Sequence, residues 1–336
     1  MLSNKNLRSY AINVFNGMAL GLFASLIIGL ILKQLGAFLS IPILEHFGKI
    51  AQLLMAPAIG AGVALSVKSP PLGVFAASIA AAIGAGSINF TDNGAILTIG
   101  EPMGALVGSL VGAEVAKLIA GKTKVDIVLV PAATILAGGL AGYLTGPWIA
   151  QGMNFLGALI NTATRLHPFP MGILVSVLMG IILTLPISSA ALAIALGLNG
   201  LAAGAATVGC CCQMIGFAAQ SYKDNGVGGL ISQGLGTSMI QIPNIIRNPW
   251  IWVPPTLASA ILGPVATMVF KMENNKEGAG MGTSGLVGQF GTIATMGGSG
   301  WVGIVILHFL LPALLSTLFC LILLKVKKIR PGDMRL

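Results

Sequence analysis

Apolar stretches close to twenty residues long recur along this whole chain, and its charges fall at their ends. A hydrocarbon core about 30 Å thick needs roughly 20 apolar residues per helix. A backbone inside that core must satisfy its own N–H and C=O groups. The pattern therefore points to bundled membrane helices. Runs that meet or approach the required length lie near 10–35, 46–67, 71–88, 102–121, 127–147, 168–185, 189–220, 227–246, 251–270 and 301–325. The first is longer than a signal-peptide core and is read as a retained helix. Only 8% of the 336 residues are charged, against about 25% in soluble domains, so a water-exposed surface cannot be made from this set. The expected fold class is an all-α polytopic membrane protein of about ten transmembrane helices plus re-entrant or broken segments, in one integral membrane domain over residues 1–336.

A net charge of +9 in a soluble protein would suggest nucleic acid. Here the basic residues flank apolar runs, which reads as topogenic charge beside lipid headgroups, so no nucleic-acid partner is expected. Lys5 and Arg8 precede the first run, and Lys325, Lys327, Lys328 and Arg330 follow the last. Both termini are expected to be cytoplasmic, with Lys68, Lys122, Lys124 and Arg247 on the same side. The loops at 223–224 and 271–277 then face outward. Cys210, Cys211, Cys212 and Cys320 lie in apolar runs without metal-ligand spacing, so packing is their expected role and no metal or cofactor is expected. His46, His167 and His308 are far apart in sequence, and no phosphate loop, HExxH or nucleophile elbow is present.

Two segments depart from the regular pattern. Residues 148–166 are interrupted by polar side chains and are expected along the interface. Residues 278–300, "GAGMGTSGLVGQFGTIATMGGSG", are too Gly-rich and polar for a lipid-facing helix and suit a re-entrant or pore-lining hairpin. A faint parallel repeat over about 10–121 and 127–270 rests on "DNGAIL" at Asp92 and "DNGVGGL" at Asp224. Asp-Asn-Gly is also a common turn sequence, so duplication and chance both account for it.

Three stretches are candidates for function. In "NFTDNGAILTIGEPMG", Pro102 opens a helix and places Glu101 at its N-cap, with Gly104, Gly108 and Gly112 on the same bare face. Glu101 either caps a tightly packed helix or faces a cavity, where it binds solute or couples a cation. Asp92 reads as an ordinary outer turn or a second coupling group. In "LPISSAALAIALGLNG", Pro186, Ser188 and Asn199 read either as a broken helix exposing backbone groups to a solute or as packing by small residues. In "GLISQGLGTSMIQIPNIIRNPW", Gln233, Thr237, Gln241 and Asn244 form one neutral stripe at helical spacing. That stripe lines a cavity for a polyol-like solute or makes interhelical hydrogen bonds. Trp250, Trp252 and Pro254–Pro255 then read as an interfacial anchor.

"MAPAIGAGVALSVKSPPLGVFAASIAAAIGAG", "GEPMGALVGSLVGAEVAKLIAG" and "SMIQIPNIIRNPWIWVPPTLASAILGP" resemble single-domain, enzyme IIC-like membrane proteins of the sugar phosphotransferase system. The branch is the one that includes the perfringolysin O regulator-like proteins. The resemblance implies a permease in a bacterial inner membrane, a homodimer in contact with lipid, that moves a small polar, carbohydrate-like solute. The domains that carry the phosphoryl group, IIA by His and IIB usually by Cys, are absent and would be separate partners. "TIGEP" (98–102) loosely echoes the family's Ile-Thr-Glu-Pro-like loop, a resemblance that would align Glu101 with its Glu. A solute-sensing regulator and an ion-coupled secondary transporter are the alternative functions.

Overall fold

A computed structural model describes residues 4–92 and 94–336. Nearly all secondary structure is helical, as expected. Six helices are long and apolar enough to cross a membrane, or seven if the bent pair Pro42–Leu53 and Met55–Ser66 is one span, among the described residues. The expected count of about ten is thus approximate, because Pro71–Gly84 and Pro168–Thr184 are short and residues 222–247 do not form a continuous helix. The chain divides into two compact units, Met1–Gly152 and Met153–Leu336.

The amino-terminal unit is packed backbone to backbone. A Cβ on Gly104 would sit 2.1 Å from the Gly84 carbonyl, and one on Gly108 would sit 2.6 Å from that of Ala80. Gly112 faces Thr134 in the same way, at 3.0 Å. The bare face of the helix Pro102–Ile119 is therefore filled by neighbouring helices. Gly17 and Gly62 repeat the device between the first helix and Met55–Ser66, where a Cβ on either would lie 2.2–2.3 Å from the facing carbonyl. The bent pair turns by 54°; the ring of Pro57 would collide with the Leu53 carbonyl of a continuous helix. Glu114 and Lys117 form an ion pair (2.7 Å), and the same Glu114 oxygen accepts from Tyr10 Oη (2.6 Å).

Residues 88–97 form an antiparallel hairpin, Ile88–Thr91 paired with Gly94–Leu97, where the sequence pattern suggested only a turn. Asp92 lies exposed in its turn. The second Asp-Asn-Gly stretch has no strands beside it: it lies where the helical stretch Tyr222–Ile231 kinks, with Gly226 at φ 59, ψ −154.

The carboxy-terminal unit is arranged around the buried helix Gly200–Gln220. Its 21 residues span about 31 Å at 1.5 Å per residue. Gly200 exchanges backbone hydrogen bonds with Asn274 at one end, and Gln220 donates to the Ile251 carbonyl (3.0 Å) at the other. Residues 222–247 leave from the Gln220 end and return to it. Asn225 and Asn248, on either side of the excursion, both bind the segment 328–336. This overturns the placement of the Asp224 loop opposite the carboxy-terminal segment, since Asp224 Oδ1 accepts from Gly332 N (3.1 Å). The physical cause is the run from Ser232 to Thr237. It takes a π-helical turn and then fully extended backbone at Thr237 (φ −159, ψ 148), which ends the helix before it can cross.

The segment 272–297 is a second excursion, from the Gly200 end. Glu273 N lies 3.2 Å from Met296 Sδ, so its two arms begin and end together. The chain then reverses at Gly297–Ser299 and descends through Leu311–Lys325. Residues 278–300, expected as a re-entrant or pore-lining hairpin, form a hairpin of short helical segments in this arrangement.

Candidate functional site

The interrupted segments converge beside the middle of the Gly200–Gln220 helix, at the level of Cys210–Met214. The first excursion has its tip at Gly234–Ser238 and the second at Gly282–Leu286. The tips touch: Thr283 Oγ1 donates to the Gly234 carbonyl, and Ser284 Oγ donates to the Gly236 carbonyl (2.7 Å). Thr283 is also 3.6 Å from Met214 Sδ. The second tip needs unusual backbone, with Gly282, Gly285 and Leu286 at φ 53, 52 and 60. A leucine in the left-handed region costs about 1–2 kcal/mol. Such strain persists where surrounding contacts hold it, and it concentrates at functional sites.

A third segment ends at the same level. The small-residue stripe of Pro168–Thr184 packs tightly at first: Gly172 lies against Gly263, Ser176 Oγ donates to the Ser259 carbonyl (2.7 Å), and Gly180 meets Gly209. Thr184, at its end, shares a hydrogen bond with Ser238 (2.8 Å) and donates to Gln213 Oε1 (3.3 Å). Gln213 Oε1 also accepts from Trp252 Nε1 (3.0 Å), and its Nε2 donates to Thr256 Oγ1 (3.1 Å). Trp252 is therefore turned into this polar centre instead of anchoring the interface. Trp250 is exposed, with Lys328 Nζ 4.8 Å from its ring centroid. Gln213, Thr256, Thr283 and Ser284 were not singled out from the sequence. An amide in mid-run in "GLAAGAATVGCCCQMIGFAAQ", whose other amide is the terminal Gln220, was the available signal for Gln213.

A second buried polar pair lies nearby. Gln289 Nε2 is 3.0 Å from His308 Nδ1 and 3.5 Å from Cys211 Sγ. Gln289 Oε1 and His308 Nε2 find no partner among the described residues. His308 sits in a π-helical stretch, Ile304–Leu310, just before Pro312. Proline supplies no N–H to the His308 carbonyl and crowds it. The three adjacent cysteines are fully buried and unpaired, as a packing role requires.

The stripe Gln233, Gln241 and Asn244 is buried, and its amides are engaged. Gln241 Nε2 donates to Gln233 Oε1 (2.8 Å) and to the Met334 carbonyl (3.0 Å). Asn244 Nδ2 donates to Gln241 Oε1 (2.8 Å) and to the Arg335 carbonyl (3.0 Å). Thr237 caps the next turn through Met239 N (3.2 Å). Ser188 follows the break at Pro186, and its neighbour Ser189 donates to the Gly280 carbonyl (2.7 Å). Asn199 is exposed and folds back on Gly197 (2.6 Å). Glu101, in the other unit, is half-buried at the head of its helix without a side-chain capping bond; its N–H donates to the Ala85 carbonyl (2.9 Å). The structure thus brings Gln233, Gln241 and Asn244 together, while Asn199 lies apart from them.

No Asp, Glu, Lys or Arg is among the buried side chains of the described residues. The interior of the carboxy-terminal unit offers hydroxyls, amides and one imidazole, a donor and acceptor set suited to a neutral polyhydroxylated solute. Among the described residues, no group of His, Cys, Asp and Glu could hold a metal ion. Comparisons with curated proteins and with solved structures find no match. Over residues 12–336, however, the chain matches the family model for the phosphotransferase system, EIIC. The chain therefore belongs to that family, as an integral membrane protein and a permease component of sugar transport.

Proposed function

We propose that this chain binds a small, uncharged, carbohydrate-like solute where the two tips meet and passes it across a bacterial inner membrane. The observation that carries the reading is a neutral hydrogen-bonding centre joining two opposed re-entrant tips: Thr184, Gln213, Ser238, Thr283 and Ser284. A buried polar group left without a partner costs about 1–3 kcal/mol. Gln289 and His308 would recover part of that cost against a solute hydroxyl, which both donates and accepts. Gln241 and Asn244 would meet solute only after residues 334–335 leave them. A phosphoryl group for the solute would come from separate IIA and IIB proteins, in keeping with the family. The cluster Lys325, Lys327, Lys328 and Arg330 supports a cytoplasmic position for this end.

A thermal-shift screen of the purified protein against neutral mono- and disaccharides tests the reading. Ligand at 100 times Kd should stabilise the native state by about 2.7 kcal/mol. Thr283→Val should remove that shift while leaving the ligand-free melting temperature within a few degrees. A full shift in Thr283→Val would place the solute elsewhere.

A further inference from the structure

Residues 328–336 lie across both arms of the first re-entrant excursion and tie them together. On the arm leaving the central helix, Asn225 Nδ2 donates to the Met334 carbonyl (2.8 Å), and its Oδ1 accepts from Leu336 N (2.8 Å). On the returning arm, Gln241 and Asn244 hold the carbonyls of Met334 and Arg335, both at 3.0 Å. Asn248 Nδ2 donates to the Lys328 carbonyl and to Asp333 Oδ2, both at 2.8 Å. Two apolar side chains, Ile329 and Met334, are 1% and 3% exposed and pack with Phe217, Ile245, Ile251 and Cys320. This is short irregular chain, held by side-chain amides on backbone carbonyls. Residues 330–336 carry no helix of their own, and their ties to Asn225, Gln241, Asn244 and Asn248 run through side chains, so they can detach without breaking the backbone bonds of the helices beneath them.

We propose that residues 328–336 are a latch that keeps the excursion 222–247 closed, and that its release is required for the tip at Gly234–Ser238 to open toward that end of the molecule. The tip is linked to the latch by a continuous chain of amides. Gln233, five residues from Ser238, bonds to Gln241, and Gln241 bonds to both Met334 and Asn244. Moving either arm outward breaks bonds to the same short segment. The inference depends on this cross-tie and not on the identity of the solute.

Thiol labelling of the full chain in detergent tests it with two reporters. Native Cys320, 2% exposed beneath Ile329 and Met334, reports departure of the latch. Ser238→Cys, fully buried at the tip, reports opening of the excursion. Labelled sites are identified by mass spectrometry with a water-soluble methanethiosulfonate. Asn225→Ala with Asn248→Ala should speed labelling at both positions at least tenfold. Asn225→Cys with Met334→Cys, oxidised to a disulfide, should suppress labelling at position 238 below the rate in the parent, and reductant should restore it. The proposal is overturned if Cys320 becomes reactive while position 238 does not, or if the disulfide leaves position 238 unchanged. It is equally overturned if the double alanine variant exposes neither thiol, since the segment would then be a fixed part of the core.

Discussion

At Gln213, one side chain satisfies three partners from two parts of the chain: Thr184 on one side, and Trp252 and Thr256 on the other. Gln213→Leu keeps the volume and leaves Trp252 Nε1 without its acceptor, while Thr184 keeps Ser238 and Thr256 keeps the Trp252 carbonyl. An unsatisfied buried polar group costs about 1–3 kcal/mol, so the variant should lose stability of that order in thermal unfolding. Its tryptophan emission should shift as the Trp252 indole loses its acceptor. A melting temperature within about a degree of the parent would show that water already serves that group. Gly104 is the corresponding residue in the amino-terminal unit. An alanine there has no room, because its Cβ would lie 2.1 Å from the Gly84 backbone carbonyl. Overpacking of this kind costs about 1–3 kcal/mol. The glycine spacing was legible in the sequence, but what filled the bare face was not. A face without side chains accepts a helix or a solute equally well, and only tertiary structure decides between them.

Among elements, the hairpin excursion at 278–300 was readable and the one at 222–247 was not. The first is dense in glycine and hydroxyls and has no apolar run long enough to cross. The second carries Leu230, Ile231, Leu235, Met239, Ile240 and Ile242 at intervals that imitate a helix face. Its interruption depends on the local backbone at Ser232–Thr237, which hydropathy does not register. The exposed hairpin at 88–97 escaped for a related reason: with Ile88, Phe90 and Ile96 it reads as the frayed end of an apolar run. The two opposed excursions have a direct topological consequence. Cysteine introduced at Lys223 and at Pro331 should be labelled from one side of the membrane, and cysteine at Lys276 from the other. If positions 223 and 331 react from opposite sides in intact cells, the segment 222–247 crosses after all.

For the molecule as a whole, all four cysteines belong to the unit Met153–Leu336. Those thiols therefore report on one unit only. Gly104→Ala should lower the first detectable unfolding temperature while leaving alkylation of Cys210, Cys211, Cys212 and Cys320 at the parent rate below that temperature. Faster alkylation in that variant would mean that the carboxy-terminal core loosens with the amino-terminal one. Membrane class and family were legible across the chain because composition and long apolar runs are global properties. The polar centre was legible only in part, because its members come from Thr184, Gln213, Ser238 and Thr283, which no spacing rule connects.

The neutral interior also bears on energetics across the bilayer. Moving one elementary charge through the transmembrane potential is worth about 2.3 kcal/mol per 100 mV. Among the described residues the carboxy-terminal unit buries no Asp, Glu, Lys or Arg, so reorganising its centre around the neutral solute proposed above displaces no fixed ionic side-chain charge through that field. The carrier step should be voltage-insensitive. In proteoliposomes, sugar exchange measured with and without an imposed potassium diffusion potential should proceed at the same rate. A strong dependence on voltage would require a charge that travels with the solute.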